Sequence, residues 1–368
     1  MKEVAIKDIC HKDSSALKQK ELLSEGKYPV FGASGIAGYL NTFYQEKEYI
    51  GIVKDGSGIG RVAFYPAESS LIGTMQYILP KEDYDIRYIG YCLQSLDLSK
   101  YKQGAAIPHI YFRDYGERFV KVTDNKEEQR SIVARLDAAF SHIDALKANA
   151  EKQLNEARKL FQAELTECMK PKEGWEEKKL GEVCEILNGF AFQSKNYVPE
   201  GIRVIRITNV QKGYIEDTDP KYYPYETQDE LSRYLLNDGD MLLSLTGNVG
   251  RVAIIDKHYL PAYLNQRVAC IRVKNGNCLD LNYLFHLLYS KKFEEDCINS
   301  ARGAAQKNMS TVWLASYPIL VPPLFEQHSI VSHLDSLSST IRKLEELQQK
   351  TLAECDALKQ AMLREVFE

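Results

Sequence analysis

Glu128-Gln129-Arg130-Ser131-Ile132-Val133-Ala134-Arg135-Leu136-Asp137 recurs as Glu326-Gln327-His328-Ser329-Ile330-Val331-Ser332-His333-Leu334-Asp335, a shift of 198 residues that keeps seven of ten side chains. That degree of self-similarity makes the chain an internal repeat, and the repeat decides its architecture. Weaker matches keep the same order upstream. Gly60-Arg61-Val62-Ala63 pairs with Gly250-Arg251-Val252-Ala253, Tyr88-Ile89 with Tyr283-Leu284, and Gly104-Ala105-Ala106 with Gly303-Ala304-Ala305. The halves differ by small insertions, and the chain reads as globule, long helix, globule, long helix.

No Gly or Pro interrupts 128–169 or 325–368, so nothing breaks a helix there. In the first stretch Ile132, Leu136, Ala139, Ile143, Leu146, Ala150, Leu154, Ala157 and Phe161 alternate steps of three and four, the seam of a coiled coil. The second stretch repeats this with Ile330, Leu334, Leu337, Ile341, Leu344, Gln348, Leu352, Cys355, Leu358 and Met362. So narrow a seam does not hold a lone helix, and the nearest partner is the other copy. With a globule between them, an antiparallel pair is the simpler topology. The residues expected to pack the pair are Ile132, Leu136, Ile143, Leu146 and Leu154 against Leu334, Ile341, Leu344, Leu352 and Leu358.

Each globule mixes short β-rich runs with one helical stretch, 86–96 in the first and 281–290 in the second. The fold class expected is α+β: two pseudo-symmetric mixed α/β domains separated by two long antiparallel helices forming a coiled coil. The domain ranges are 1–123, 124–170, 171–323 and 324–368.

The 368 residues suffice for two ordinary domains, and 44% apolar with 27% charged content is that of a globular chain. No apolar run approaches the ~20 residues that cross a bilayer, and no signal peptide is visible at Met1-Lys2-Glu3. The eight cysteines lie far apart without a C-x-x-C pair, as expected of reduced thiols in the cytoplasm. The net charge of −4 does not suggest a generic nucleic-acid binder. By segment it is +1 over 1–123, −1 over 124–170, −1 over 171–323 and −3 over 324–368, so any DNA contact must use local basic patches or a basic partner.

Catalytic signatures are missing where they would be needed. Val321-Pro322-Pro323-Leu324 lacks the amide or acid and the aromatic of an adenine-methyltransferase element, and it reads as the stop between a strand and a helix. Asp55-Gly56-Ser57-Gly58-Ile59-Gly60-Arg61 fits no phosphate-loop pattern and reads as a hairpin turn or bulge. Asp217, Asp219 and Lys221 have the residue types of a metal nuclease, but they sit in a Tyr/Pro-rich loop without a flanking strand pair. No nucleophile, acid/base pair or metal site stands out.

Sequence readers need amide and basic side chains held at the major groove by a rigid scaffold. Asn188, Gln193 and Lys195 follow one strand-like run, and Asn209 follows another. Thr246, Asn248 and Arg251 lie in a Gly-containing turn whose counterpart is Lys54, Ser57 and Arg61. Gln306 and Lys307 belong to a flexible polar loop repeated around Gln103. Polar Gly-containing connections are common in any protein, so the set carries more weight than its members.

At the repeated Glu-Gln-x-Ser-Ile-Val-x-x-Leu-Asp element, preceded by Pro318-Ile319-Leu320-Val321-Pro322-Pro323-Leu324, the chain resembles the DNA-specificity subunits of type I restriction-modification systems. Leu187-Asn188-Gly189-Phe190-Ala191-Phe192, Leu245-Thr246-Gly247-Asn248-Val249-Gly250-Arg251-Val252 and Tyr28-Pro29-Val30-Phe31-Gly32-Ala33-Ser34-Gly35-Ile36 are also similar to elements of that family. Val122-Thr123-Asp124 departs from the pattern, since no Pro-Pro precedes Glu128. The resemblance implies a non-catalytic subunit without cofactor. Its two target-recognition domains each read half of a split double-stranded DNA site, and its helices set the spacer. The implied partners are two methyltransferase (M) subunits and, through the complex, motor/endonuclease (R) subunits. Two other classes compete: a nuclease or methyltransferase in its own right, against which the missing motifs argue, and a coiled-coil scaffold without a DNA role.

Overall fold

The computed structural model describes residues 1–104, 108–301 and 308–368. It divides into two units, Met1–Lys152 with Leu347–Glu368, and Gln153–Glu346. In the first, β1 (Lys2–Ala5), the single-turn helix α1 (Ile6–Ile9) and β2 (Cys10–Ser14) precede β3 (Tyr28–Gly32), β4 (Gly35–Leu40) and β5 (Tyr49–Val53). Next come β6 (Val62–Tyr65), β7 (Ser70–Leu71), β8 (Met75–Pro80), α2 (Ile86–Ser95), α3 (Phe112–Tyr115), β9 (Phe119–Val122) and the 43-residue α4 (Lys126–Cys168). The strands form sheets in the orders β2-β8-β5-β6 and β4-β3-β7, and β1 pairs with β9.

The second half repeats this series. It runs β10 (Glu176–Lys179), α5 (Leu180–Val183), β11 (Cys184–Asn188), β12 (Ile202–Ile205), β13 (Tyr222–Tyr223), β14 (Met241–Ser244) and β15 (Val252–Ile254). Then follow β16 (Ala262–Leu264), β17 (Val268–Val273), α6 (Leu281–Tyr289), α7 (Lys291–Ser300), α8 (Thr311–Ser316), β18 (Pro318–Val321) and the 44-residue α9 (Leu324–Phe367). Sheet orders are β11-β17-β14-β15 and β13-β12-β16, with β10 on β18. Even the strand sense is kept: β3 with β7 and β12 with β16 are parallel, and all other pairs are antiparallel. The duplication seen in the sequence is therefore a duplication of topology, and α7 is an addition in the second half.

The repeated glutamine explains why the motif recurs. Gln129 is fully buried; its Oε1 accepts the Asp85 N–H at 2.7 Å, and its Nε2 donates to the carbonyls of Asp83 (3.1 Å) and Thr123 (2.9 Å). Gln327 does the same, with the Asp280 N–H at 2.7 Å, the Cys278 carbonyl at 2.9 Å and the Pro322 carbonyl at 2.7 Å. Asp85 and Asp280 are the N-caps of α2 and α6, each carboxylate accepting two backbone N–H groups of the first turn. One amide thus ties the start of a long helix to the chain that leaves the sheet and to the cap of the next helix. The motif aspartates extend this tie: Asp137 accepts from Arg87 at 2.9 Å and from Tyr91, and Asp335 meets His286 Nε2 at 2.8 Å.

Within each unit, segments of α4 and α9 run antiparallel. Asp144 pairs with Lys359 at 2.5 Å and Lys147 with Asp356 at 2.7 Å in the first unit, and Arg158 pairs with Glu345 at 2.8 Å in the second. Ile132, Leu136, Phe140 and Ile143 share the first core with Cys355, Leu363 and Phe367. Phe161 and Leu165 share the second with Ile330 and Leu334. Leu154, Ile341, Leu344 and Leu352 are half-buried.

Leu146 and Leu358 correct the expected seam: they are 57% and 51% exposed. The buried line passes instead through Phe140, half-buried Lys147 and Ala150, and through Cys355, half-buried Lys359 and Leu363. One residue along each helix, Lys147 and Lys359 take the half-buried positions and pair across to Asp356 and Asp144, so ion pairs occupy the line the leucines were expected to hold.

All eight cysteines are free; Cys168 and Cys278 are half-buried and the rest are buried. Among the described residues no helix is long and apolar enough to cross a membrane. Replacing Gln327 by Ala leaves two carbonyls and one N–H buried without partners, at about 1–3 kcal/mol for each group that water cannot reach. Thermal unfolding of Gln327→Ala, followed by circular dichroism, is expected at a temperature several degrees below the parent's.

Candidate nucleic-acid interface

Each four-stranded sheet has two unlike ends. Strand β8 ends at Pro80, and the chain runs from there to Asp85, where Gln129 holds it; β17 ends at Val273 on the way to Asp280 and Gln327. The opposite ends are left to turns. In the second unit the register puts Asn188 opposite Ala269 and Ser244 opposite Val268, with the β14–β15 turn beside them. In the first unit Ser14 lies opposite Gln76 and Val53 opposite Met75, beside the β5–β6 turn.

The two hairpin turns are built alike. Val53 N–H donates to Arg61 O at 3.0 Å and Gly60 N–H to Val53 O at 2.8 Å; Ser244 N–H donates to Arg251 O at 2.9 Å and Gly250 N–H to Ser244 O at 3.0 Å. Gly60 and Gly250 have φ of +83° and +86°, where a Cβ would be strained, which is why glycine stands at both. The hairpin reading of Asp55–Arg61 thus describes what forms.

On the first turn Ser57 and Arg61 are exposed and Lys54 is half-buried. Burial, and then the Lys12 ammonium, hold Lys54 below the usual lysine range. Among the described residues no carboxylate pairs with it, and a phosphate would relieve that unpaired charge. The segment after residue 107 packs on this turn: Gly56 N–H donates to Pro108 O at 3.1 Å, and His109 pairs with Asp55 and bridges to Gln103. Gln103 Nε2 donates to Asp114 at 2.9 Å.

In the second unit the end of the sheet gathers more polar groups. Exposed Asn188 leads into Gly189, where a Cβ would overlap the Asn265 carbonyl, so the loop carrying exposed Gln193 and Lys195 passes directly over the β16–β17 turn. Phe190 and Gln266 fasten the crossing through two backbone bonds of 2.9 Å, Phe190 N–H to Leu264 O and Gln266 N–H to Phe190 O. Leu245 N–H reaches Arg267 O at 2.9 Å and Met309 N–H reaches Leu245 O at 2.8 Å. Exposed Asn248, Gln266, Arg267 and Asn308 therefore stand on neighbouring turns. Gln266 and Arg267 escape a reading of the sequence, because Arg267 opens a strand-like run and Gln266 is 18 residues from Asn248.

Two expected contacts, Asn209 and Thr246, are corrected by their surroundings, and a third, Arg251, is engaged within its own unit. Asn209 is buried; its Oδ1 accepts the Arg206 N–H at 2.9 Å and its Nδ2 donates to Glu216 O at 2.8 Å, so the amide closes its own loop. Thr246 is buried, with its hydroxyl on Asn308 Oδ1 at 3.1 Å. Arg251 is half-buried and donates to Gln211 Oε1. Gln306 and Lys307 lie outside the described residues. Asp217 pairs with Arg203, and Asp219 pairs with Lys221 at 2.6 Å and Arg206 at 3.3 Å. These carboxylates are matched by their own cations, as an ordinary surface loop requires.

The family model for the type I restriction modification DNA specificity domain matches residues 1–156 and 172–353. The specificity subunit of type I restriction enzyme EcoAI from Escherichia coli is 33% identical over 202 residues, which are 52% of this chain but 33% of that protein. The MjaVIII specificity subunit from Methanocaldococcus jannaschii is 25% identical over 365 residues, 91% of this chain and 84% of that protein. Among solved structures, a chain from work on complex assembly and conformational transition of the type I R-M system aligns with a TM-score of 0.73 at 17% identity, over 99% of this chain and 97% of that one. The HsdS subunit from Thermoanaerobacter tengcongensis aligns with a TM-score of 0.51 at 17% identity, over 99% and 96%. At such identities the structural likeness concerns the fold.

If these turns contact DNA, Arg267→Ala is expected to weaken binding about 5- to 100-fold, the cost of one good base or phosphate contact. Fluorescence anisotropy against labelled duplex at several salt concentrations reads both affinity and salt slope. Asn209→Ala is expected instead to lower thermal stability by about 1–2 kcal/mol.

Proposed function

Because this chain belongs to the type I restriction modification DNA specificity family, we propose that it is the non-catalytic subunit that selects the DNA site for such a complex. Residues 1–123 and 171–323 act as the two target-recognition domains, each reading one half of a bipartite double-stranded target. The rods, 124–170 and 324–368, set the spacer between the half-sites. The observation that carries this reading is the duplicated sheet end. Each unit anchors its long helix at one end through a buried glutamine, and at the other end it holds polar turns on paired strands. That division suits base reading, which needs adaptable side chains on a rigid support.

The DNA-contacting residues in this reading are Lys54, Ser57, Arg61 and Gln103 in the first unit. In the second they are Asn188, Gln193, Lys195, Asn248 and Arg267. Methylation and ATP-driven cleavage belong to two methyltransferase subunits and to motor/endonuclease subunits, with the work done in the cytoplasm where the DNA is.

Two identical partners need equivalent surfaces on one chain, and repetition supplies them. Leu160 and Leu358, 198 residues apart, are both exposed, at 60% and 51%. An exposed leucine at the same register of both rods suits docking of one methyltransferase subunit on each.

Sequencing the methylated adenines of cells with and without this gene tests the function. Loss of one bipartite motif is expected, and replacement of residues 1–123 by another recognition domain should alter one half of that motif alone; an unchanged methylome overturns the proposal. Leu160→Glu and Leu358→Glu should each halve the methyltransferase stoichiometry in size-exclusion chromatography with light scattering, while unfolding temperature stays within about a degree, because exposed positions contribute little to stability.

A further inference from the structure

Glu164 and Cys168 stand four residues apart on α4, the spacing that puts two side chains on one helical face. His333 meets them from α9, its Nε2 2.9 Å from Glu164 Oε1. One carboxylate oxygen, the thiol sulfur and an imidazole nitrogen all lie within 4.8 Å of one another. We propose that these three side chains bind a divalent metal of the zinc class, which clips α4 to α9 within the second unit. This site stands apart from the DNA-reading turns and does not depend on their role.

The donor set selects the metal. Thiolate, imidazole and carboxylate together suit zinc, whereas calcium and magnesium take oxygen alone. Three protein ligands leave a fourth tetrahedral position for water. With bonds of about 2.0–2.3 Å, tetrahedral ligand atoms sit roughly 3.5 Å apart, so the trio needs only small side-chain rotations to close. Without metal the group is an ordinary pair between His333 and Glu164, beside a thiol that burial, and then the Glu164 charge, push above its usual range. A bound cation supplies the positive charge that both sulfur and carboxylate lack, and Cys168 releases its proton to solvent on ligation.

The repeat argues that the trio is particular to this half. The residues 198 positions away are Met362, Val366 and Arg135, none of which ligates zinc. A metal would therefore fasten the rods in the second unit by a means that the equivalent positions of the first unit lack.

The full chain, stripped with chelator, is titrated with cobalt(II) as a spectroscopic probe and then with zinc. One equivalent of cobalt is expected to produce a near-ultraviolet thiolate charge-transfer band and visible d–d bands, both displaced by zinc. Zinc should raise the unfolding temperature by a few degrees over the chelated chain. Cys168→Ser should abolish the charge-transfer band, and His333→Ala should weaken binding at least tenfold. Metal-free circular dichroism of both variants is expected to match the parent, since His333 is exposed and serine keeps the shape of the half-buried Cys168 side chain. A band that survives in Cys168→Ser, no band in the parent, or equal affinity in parent and variants overturns the site. DNA binding is expected to persist in both variants, so failure here and failure of the DNA reading give different results.

Discussion

A buried side-chain amide with all its hydrogen-bonding groups engaged holds each long helix to its globule. Gln129 and Gln327 accept one backbone N–H and donate to two carbonyls from segments that are otherwise loop. Only an amide has both an acceptor and two donors at one tip. A glutamate in its place would turn an acceptor towards two carbonyls, and a leucine would leave all three backbone groups without partners. The same amide sets where α2 or α6 begins, since the N–H it binds belongs to the capping aspartate. Orientation of rod, cap and sheet thus comes from one short hydrogen-bonded knot, present twice.

Because that knot occupies one end of the sheet, the turns at the other end do not have to anchor the helix. The turns there are closed by backbone hydrogen bonds and by glycines with positive φ, so their exposed side chains can change without disturbing the cores. In the proposed reading, stability and specificity are carried by different atoms. Under the proposed function, a net charge of −4 leaves the attraction of DNA to the local field at Lys54, Arg61, Lys195 and Arg267.

Where a reading of the sequence fails, the cause is a third-dimensional neighbour. Asn209 has the right chemistry for a base contact, yet the fold brings the Glu216 carbonyl and the Arg206 N–H to it. Arg267 has the right exposure, yet its place at the start of an apolar run hides it. Leu146 and Leu358 fit the seam, yet they are exposed, and the neighbouring Lys147 and Lys359 pair across the helices with Asp356 and Asp144. Glu164 and His333 are 169 residues apart, and no local pattern joins them.

Linear order was enough for the duplication, the helix lengths and the absence of breakers within them, because these rest on identity at a fixed shift and on backbone propensities that act locally. It was also enough to find the turns, since glycine at positive φ marks them without reference to distant residues. Which polar side chains on those turns remain free, which leucines stay wet, and which three ligands meet were decided by packing. The turn side chains are settled by partners 3 to 62 residues away, and the leucines and ligands by helices that meet across more than a hundred residues; chain order leaves both open until the sheets close and the helices run antiparallel.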